Sequence, residues 1–418
     1  MNEPSPPAPA KLPAERKSDP LSERGVAYVL DDFPIRSERF VEREVDALRR
    51  LGIRVPLCLV RSRGSAGAPG QTGEIYRVGW PAMLLSLATL GPSFMPALEP
   101  QPLRERQPRA GFGTASAFRL RLVASGHAKI LRQRRPGLIH AHFATVPVVV
   151  ARYLAASLQL PWGVSVHAGD LYAVPPALFA ARLQGAAYVV TCSSAAGEAV
   201  RQRIGGRTPV FVVHHGLNLD DWPKTAAVSP ARHGAPRLLA VGRFVQKKNF
   251  GSLVAACALL KPRYPGLNCA IVGDGPLRGA LQRAITRSGA PVVILPWQTE
   301  PALQSLYRSA TVLVAPGVVT ENGDRDNISN VIVEAMASGL PVVSGPVSSH
   351  AFGAEDAEAL ITADPSPSGL AGAIDRALSN PSTLESAGNA GRRLAERRFD
   401  LARNAHDLAR IFRGFAAA

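Results

Sequence analysis

Short apolar runs alternate along this chain with longer stretches in which apolar positions recur every three or four residues. Residues 26–30 (VAYVL) are uninterrupted apolar and end at Asp31, Asp32 and Pro34, the pattern of a strand buried on both faces that meets a turn. Phe40, Val41, Val45, Leu48 and Leu51 then recur at helical spacing, with Ser37 placed to cap the helix and Gly52 to stop it. A second strand is expected over 53–60, and strand, helix and strand in this order predict a βαβ unit and a parallel sheet.

The rhythm continues with a helix over 116–133, a strand at 138–141, a helix at 145–157, strands at 163–167 and 187–192, a helix at 194–204 and a strand at 210–213. The Asp-, Pro-, Lys- and Ala-rich stretch 217–236 reads as a linker. Beyond it, strands at 238–241, 268–272, 292–295, 312–315 and 341–344 alternate with helices near 250–261, 276–288, 301–308 and 330–338. Helical patterns at 368–379, 383–397 and 401–416 close the chain, and no fixed-period repeat is present. The expected architecture is α/β: two consecutive doubly wound domains facing across a cleft, at 24–216 and 237–398. A disordered tail is expected at 1–23, and a C-terminal helix at 399–418 that packs back toward the first domain.

Composition narrows the class. A chain of 418 residues is too long for one ordinary core, and 46% hydrophobic with 19% charged residues is globular. Cys58, Cys192, Cys257 and Cys269 have no paired spacing, which suits a reducing compartment rather than a disulfide framework or a zinc knuckle. The first nineteen residues lack the apolar stretch of a secretory signal, so a cytoplasmic protein is expected.

Charge is uneven. Of a net +16, the segment from Arg49 to Arg135 supplies +12, with fifteen basic and three acidic residues. A solvated basic face and a surface for an anionic membrane both fit this excess. Nucleic acid is not expected, because aromatics are 6% of the chain and show neither stacking pattern nor zinc spacing. Inside this segment residues 78–98 are uncharged, yet Gly79, Pro81, Gly91, Pro92 and Pro96 interrupt them. That argues against a spanning helix and for either interfacial pieces around 83–90 and 94–98 or a buried core helix.

Candidate chemistry lies at the carboxyl ends of strands, where open α/β sheets bind ligands. The strand at 238–241 ends in Gly242 and Arg243, with Lys247, Lys248 and Asn249 ahead of the next helix; a glycine that admits backbone, followed by Arg and Lys, can grip a diphosphate. The next strand ends in Gly273-Asp274-Gly275-Pro276, which lacks the third glycine of the dinucleotide fingerprint. Farther on, Asp326 lies in a polar loop and Glu334 on a helix that starts near Asn330. Amides of Asn330, Val331 and Ile332 in that first turn suit a phosphate, with a carboxylate on each side for sugar hydroxyls. Glu334 also fits a plainer role, an acid in the first half of a helix that opposes the dipole. His140 and His142 flank Ala141 and point the same way along a strand, with no Cys, Asp or Glu at ligand spacing beside them. No metal is expected, and His142 is assigned to the acceptor side.

These motifs together resemble glycosyltransferase family 4, retaining enzymes of the two-domain GT-B fold built from Rossmann-like halves. Asp326, seven intervening residues, then Glu334-Ala-Met-Ala-x-Gly-x-Pro-Val-Val is similar to the donor-site motif of that family. Val241-Gly242-Arg243 with Lys248, Val272-Gly273-Asp274-Gly275-Pro276, Leu306-Tyr307-Arg308-Ser309-Ala310 and Ala315-Pro316 follow in family order. In the first half Phe33-Pro34-x-x-Ser37-Glu38-x-Phe40, Ile139-His140-Ala141-His142-Phe143-Ala144 and Ser165-Val166-His167-Ala168-Gly169-Asp170 resemble the subgroup that builds colanic acid and other exopolysaccharides, and Val213-His214-His215-Gly216 resembles the strand end before the linker.

The resemblance implies that Arg243 and Lys248 stabilise a diphosphate leaving group in place of a metal, so no cofactor is expected beyond a nucleotide-sugar co-substrate. It implies that Glu334 accepts bonds from the ribose, Asp326 contacts the donor sugar, and His167 sits beside the reacting sugar. Gly242, Gly273, Asp274, Asn330 and Val331 complete the donor site; Ser37, His142 and Asp170 serve the acceptor side; and Gly216 permits close packing. The implied reaction moves a sugar from a UDP- or GDP-sugar, with retention, to a lipid-linked saccharide at the inner face of the cytoplasmic membrane. A nucleotide-sugar epimerase of the same fold and an inactive sugar-nucleotide-binding scaffold are the alternatives. The chain departs from the family pattern at Arg39 (usually Thr), Asn218 (usually Asp), Asn249 (usually Gly), Asp326 (usually Glu) and Gly345–Phe352, which lacks the usual Gly-Gly-Ile-Pro-Glu.

Overall fold

Each half of the chain builds its own parallel sheet. The computed structural model describes residues 10–14, 19–35, 38–61, 74–78, 117–222 and 234–417. Contacts divide the chain into two units: unit 1 ends at Thr191 and adds Gly197–Val213 and the chain from Ala405, and unit 2 comprises Cys192–Ala196 and His214–Asn404.

Unit 1 runs β1 (Val26–Leu30), α1 (Arg39–Arg50), β2 (Leu57–Leu59), β3 (Ile75–Arg77), α2 (Ala117–Arg134), β4 (Leu138–His142), α3 (Val146–Leu158), β5 (Trp162–Val166), α4 (Ala168–Ala173), α5 (Pro176–Leu183), β6 (Tyr188–Thr191), α6 (Ser194–Ile204, in this unit from Gly197) and β7 (Val210–Val212). The seven strands lie in the order β3-β2-β1-β4-β5-β6-β7, and every pairing is parallel. The order reverses between β1 and β4, so their carboxyl ends flank the crevice where such sheets bind ligands. All five residues of β1, of β4 and of β5 are buried, and β1 accordingly reads as an unbroken apolar run, whereas β4 is broken by His140 and His142 and β5 by Ser165. On one face Val26, Tyr28 and Leu30 pack with Phe40, Val41, Val45 and Leu48 of α1 and with Leu408, Ile411 and Phe412 near the chain end.

Unit 2 runs β8 (Arg237–Val241), α7 (Phe250–Leu260), β9 (Asn268–Val272), α8 (Arg278–Ser288), β10 (Val292–Leu295), α9 (Glu300–Ser309), β11 (Val312–Ala315), α10 (Asn330–Ala337), β12 (Val342–Ser344), α11 (Pro346–Phe352), β13 (Ile361–Thr362), α12 (Pro367–Ser379) and α13 (Pro381–Arg398); α14 (Leu401–Phe415) ends the chain and lies in unit 1 from Ala405. Its sheet order is β10-β9-β8-β11-β12-β13, again parallel, with the reversal between β8 and β11. Successive strand residues serve opposite cores. Leu238 and Ala240 join Cys269, Ile271, Val312 and Val314 beneath α7 and α12, while Leu239 and Val241 join Val272, Leu313 and Val342 beneath α10 and α13. All four cysteines are buried and none is in a disulfide.

The two doubly wound α/β sheets are those the pattern predicts; the differences are local. The strand expected over 53–60 is assigned only at Leu57–Leu59, because Pro56 has no N–H for the ladder. Ile53 and Val55 are nonetheless buried beside β1, where Val26 N–H donates to the Arg54 carbonyl. The strand expected over 163–167 ends at Val166, and His167 leaves the sheet to cap α4. Parts of the expected disordered tail are built in: Ala10 N–H donates to the Val210 carbonyl, and Leu21 is fully buried. The expected linker begins as packed structure, since Leu217 N–H donates to Phe399, Leu401 N–H donates to Leu217, and Trp222 is buried. Of the uncharged stretch 78–98 only Val78, buried against Gly126, is among the described residues; the interfacial pieces expected there lie outside them. Among the described residues no helix is long and apolar enough to cross a membrane.

Candidate functional site

In unit 2 the loops leaving β8 and β9 interleave. Gly242 N–H donates to the Val272 carbonyl at 2.9 Å, Gly273 N–H to Leu295 at 3.0 Å, and Phe244 N–H to Asp274 at 2.9 Å. Gly273 has φ +144, and a methyl group there would run into the Gly242 carbonyl oxygen, so this crossing requires glycine. The chain then makes a tight turn at Gln246–Lys248 and enters α7 through Asn249 at φ +52. The left-handed backbone explains why Asn can stand where the family pattern has Gly. The Asn249 side chain donates to the Pro365 carbonyl at 2.8 Å and accepts from Ser252 Oγ at 2.8 Å.

That turn aims two lysines at the 324–329 loop. Lys248 Nζ lies 2.6 Å from Asp326 Oδ2, and Lys247 Nζ lies 2.9 Å from Asp324 Oδ1 and 3.4 Å from Asp326 Oδ1. Burial alone would raise the Asp326 carboxyl, but the Lys248 and Lys247 ammonium groups outweigh it and hold it below its ordinary value. Lys248 Nζ also reaches 3.4 Å from Ser329 Oγ, and Ser329 is the N-cap of α10. A cation therefore stands at a helix N-terminus, beside the glycine crossing. Ile332 N–H donates to the Ser329 carbonyl at 2.9 Å, which corrects the expectation that its amide is open to a phosphate. Asn330 and Val331 hold the first two positions of α10, whose amides a helix leaves without an intrahelical acceptor.

Glu334 is buried, with Oε2 accepting from the Tyr307 hydroxyl at 3.0 Å. Tyr307 is fully buried and meets Trp222 edge-on at 5.5 Å. Asn330 Oδ1 is 3.4 Å from His215 Nδ1. Asp274 is more than half exposed and accepts from Gly275 N–H. Arg243 is half-buried in the loop after β8. The segment that departs from the family pattern folds as α11, with His350 exposed.

Unit 1 carries the histidines. His140 and His142 both project to one side of β4 and are fully buried. His140 bonds Tyr188 OH through Nδ1 and Ser165 Oγ through Nε2, each at 3.0 Å. His142 Nε2 lies 3.0 Å from Glu44 Oε1, and its Nδ1 lies 3.2 Å from His167 Nε2. His167 caps α4 in a reciprocal box with Asp170; Asp170 Oδ2 accepts from His167 N–H at 3.2 Å and from Ala144 N–H at 2.7 Å. Burial would raise the Glu44 carboxyl, yet the hydrogen bonds it accepts from His142 Nε2 at 3.0 Å and from the Tyr28 hydroxyl at 2.6 Å hold it below its ordinary value. Burial holds His140 well below its ordinary value.

The structure thus brings His142, His167 and Asp170 into one cluster in unit 1, and Gly242, Lys248, Gly273, Asp326 and the start of α10 into another in unit 2. Ser37 lies outside the described residues. Sequence reasoning named Lys247 without giving it a role, and missed Tyr28 and Glu44. It expected no carboxylate near His140 and His142, and Glu44 corrects this: the three lie close enough to share an ion. Both nitrogens of each imidazole, however, already have protein partners. A signal for Glu44 was present, because it stands four residues after Phe40 and four before Leu48, on the apolar face of α1.

Two family descriptions match. Residues 37–221 match Glycosyltransferase Family 4, and residues 235–380 match Glycosyl transferases group 1. The amylovoran biosynthesis glycosyltransferase AmsK of Erwinia amylovora is 31% identical over 116 residues, 27% of this chain and 28% of that protein. The colanic acid biosynthesis glycosyltransferase WcaL of Escherichia coli is 30% identical over 140 residues, 33% of this chain and 34% of that one. The matches thus span about a third or less of these curated relatives. Sucrose-phosphate synthase from Thermosynechococcus elongatus superimposes with a TM-score of 0.72 at 19% identity, covering 93% of this chain and 98% of that one. HepE of Anabaena, solved in complex with UDP, does so at 0.66 and 17% identity, covering 92% and 98%. These likenesses establish the two-domain GT-B fold.

Proposed function

We propose that this chain, which belongs to glycosyltransferase family 4, transfers a sugar from a nucleotide diphosphate to a saccharide acceptor in the synthesis of a cell-surface polysaccharide. The observation that carries the reading is the cation at the glycine crossing: Lys248, beside Gly242, reaches the N-cap of α10. Breaking a sugar–phosphate bond builds negative charge on the diphosphate, and fixed cations and helix amides aimed at that charge are what lower the barrier. In this reading Lys248, Arg243 and the amides of Asn330 and Val331 receive the diphosphate, Glu334 accepts from the ribose, and Asp326 faces the donor sugar. No metal or other cofactor is assigned a part.

UDP is the favoured nucleotide, supported by solved relatives of this fold that hold UDP or UDP-glucose. Transfer proceeds with retention, and the acceptor is a lipid-linked saccharide at the cytoplasmic membrane face. The AmsK and WcaL likenesses support the polysaccharide product. The basic excess between Arg49 and Arg135 supports docking on an anionic leaflet, where each basic residue contributes about 1 kcal/mol.

The test is a radiolabelled nucleotide-sugar assay with membrane lipid extract. Labelled lipid is the expected product, and Arg243→Ala is expected to lower its rate by roughly 10²–10³. Nucleotide binding without turnover for any sugar nucleotide sinks the transfer reading. Sedimentation with anionic vesicles at low salt, lost at high salt, is required of the membrane part.

A further inference from the structure

The hydrogen-bond chain in unit 1 has a fixed direction. At one end stands Glu44, whose carboxylate can only accept; at the other stands the Asp170 backbone amide, which can only donate to the His167 side chain. His167 Nε2 faces His142, so the ring nitrogen that meets the amide is Nδ1. Between these two ends the protons have one arrangement. The Asp170 amide donates to His167 Nδ1, His167 Nε2–H donates to His142 Nδ1, and His142 Nε2–H donates to Glu44 Oε1. If His142 were an imidazolium, its Nδ1–H would make His167 Nε2 an acceptor. His167 would then carry Nδ1–H against the Asp170 N–H, two donors face to face. A second proton on His167 meets the same amide.

We infer that Glu44 and His142 are positioning residues that hold His167 as a neutral ring, in the Nε2–H tautomer and one orientation, at the carboxyl end of β5. The surroundings fix the plane as well: the His142 and His167 rings stack at 5.4 Å with 13° between planes, and Phe40 and Phe143 flank His167 at 4.9 and 4.4 Å. The Tyr28 hydroxyl donates to the same Glu44 oxygen that His142 meets. The partner at one ring nitrogen sets which nitrogen carries the proton at the other, and here that rule is applied twice in series. For catalysis the inference rests on the transfer reading. A donor sugar gains positive charge as its bond to phosphate breaks, and a neutral imidazole at the rim does not repel that carbon as an imidazolium would.

The test uses the full-length protein labelled with ¹⁵N-histidine, its ring signals assigned by their loss in His142→Phe and His167→Phe. Long-range proton–nitrogen spectra report the tautomer of each ring. Both rings are expected as Nε2–H and neutral around neutral pH; an Nδ1–H form or an imidazolium at either overturns the inference. Glu44→Ala is expected to mix the His142 tautomers and to lower kcat roughly tenfold or more, with the KM for nucleotide sugar little changed. Glu44→Gln, whose amide oxygen can still accept from His142 and Tyr28, is expected to restore the tautomer and most of kcat. A Gln variant as slow as the Ala variant with its tautomers intact also overturns it. If Glu44→Ala does not fold, the wild-type spectrum and the Gln variant decide. Absence of turnover with every nucleotide sugar refutes the transfer reading alone, because the spectra need no turnover.

Discussion

Asp326 Oδ2 lies 2.6 Å from Lys248 Nζ, so the cation assigned to the diphosphate is already paired with the carboxylate assigned to the donor sugar. The lysines hold the Asp326 carboxyl below its ordinary value against the effect of burial. Because that carboxyl is depressed, its contribution to stability is present above the ordinary carboxylate range and is lost as pH falls through the lowered value.

Lys248→Met removes both a phosphate partner and the nearer counter-ion of a half-buried acid. Turnover is expected to fall by roughly 10²–10³. Stability is expected to fall by about 2 kcal/mol, less than for a fully orphaned buried charge, because Lys247 remains 3.4 Å from Asp326. Adding Asp326→Asn removes the orphaned charge. The double variant should regain most of the urea midpoint without regaining turnover. Recovery of both would show that Lys248 serves the loop rather than the leaving group.

Three buried histidines make the native state sensitive to mild acid. Burial lowers His127 from 6.5 to about 4, and also lowers His140 and His214. The unfolded chain therefore takes up protons that the native state refuses. Stability is full above 6.5 and declines toward 4, by about 1.4 kcal/mol per pH unit for each histidine in its window. Urea midpoints measured across this range should fall with acid. His127→Gln, which keeps a donor for the Leu59 carbonyl that His127 Nε2 meets, should make the decline shallower.

The sheets were legible because strands buried on both faces are mostly apolar, without interruption in β1 and interrupted only by His140 and His142 in β4 and Ser165 in β5. The short edge strands β3 and β13, three and two residues long, carry too little pattern to be read. The helices α4 and α5, six and eight residues long, were missed for the same reason. In the site, residues that touch along the chain were readable: the Gly242–Lys248 loop and the Asp326–Glu334 spacing are local. Glu44 and His142 are separated by 98 positions, and only the parallel pairing of β1 with β4, covered by α1, makes them neighbours. The one local trace of that contact was an acid on an apolar helix face. Lys247 was named in the loop but given no role of its own, because a lysine beside another lysine reads as surface charge, whereas here it is buried against Asp324 and Asp326.

Tyr307→Phe tests the support beneath Glu334. The hydroxyl donates to Glu334 Oε2 at 3.0 Å inside a buried cluster, and a bond to a charged group contributes about 1.5–3 kcal/mol. The variant should unfold at lower urea by that order. It should also raise the KM for the nucleotide sugar more than it lowers kcat, since Glu334 is assigned to the ribose and not to the reacting carbon. An unchanged KM with reduced kcat would move Glu334 away from nucleotide binding.

Gly216 is where a side chain has no room. A methyl group there would run into the Leu401 backbone, at the point where Leu217 N–H donates to the Phe399 carbonyl and its own carbonyl accepts from Leu401 N–H across the Leu217–Asp400 bridge. The obstacle is backbone, so the fit is restored only by displacing the chain that leads into α14. Gly216→Ala is expected to cost about 1–3 kcal/mol. Gly251, exposed in the first turn of α7 with nothing near its added methyl, supplies the opposite case. Gly251→Ala should raise stability by about 0.5–1 kcal/mol through the unfolded state. Thermal unfolding of the two variants side by side should move Tm in opposite directions. A shift of the same sign in both would mean that the Gly216 contact yields without cost.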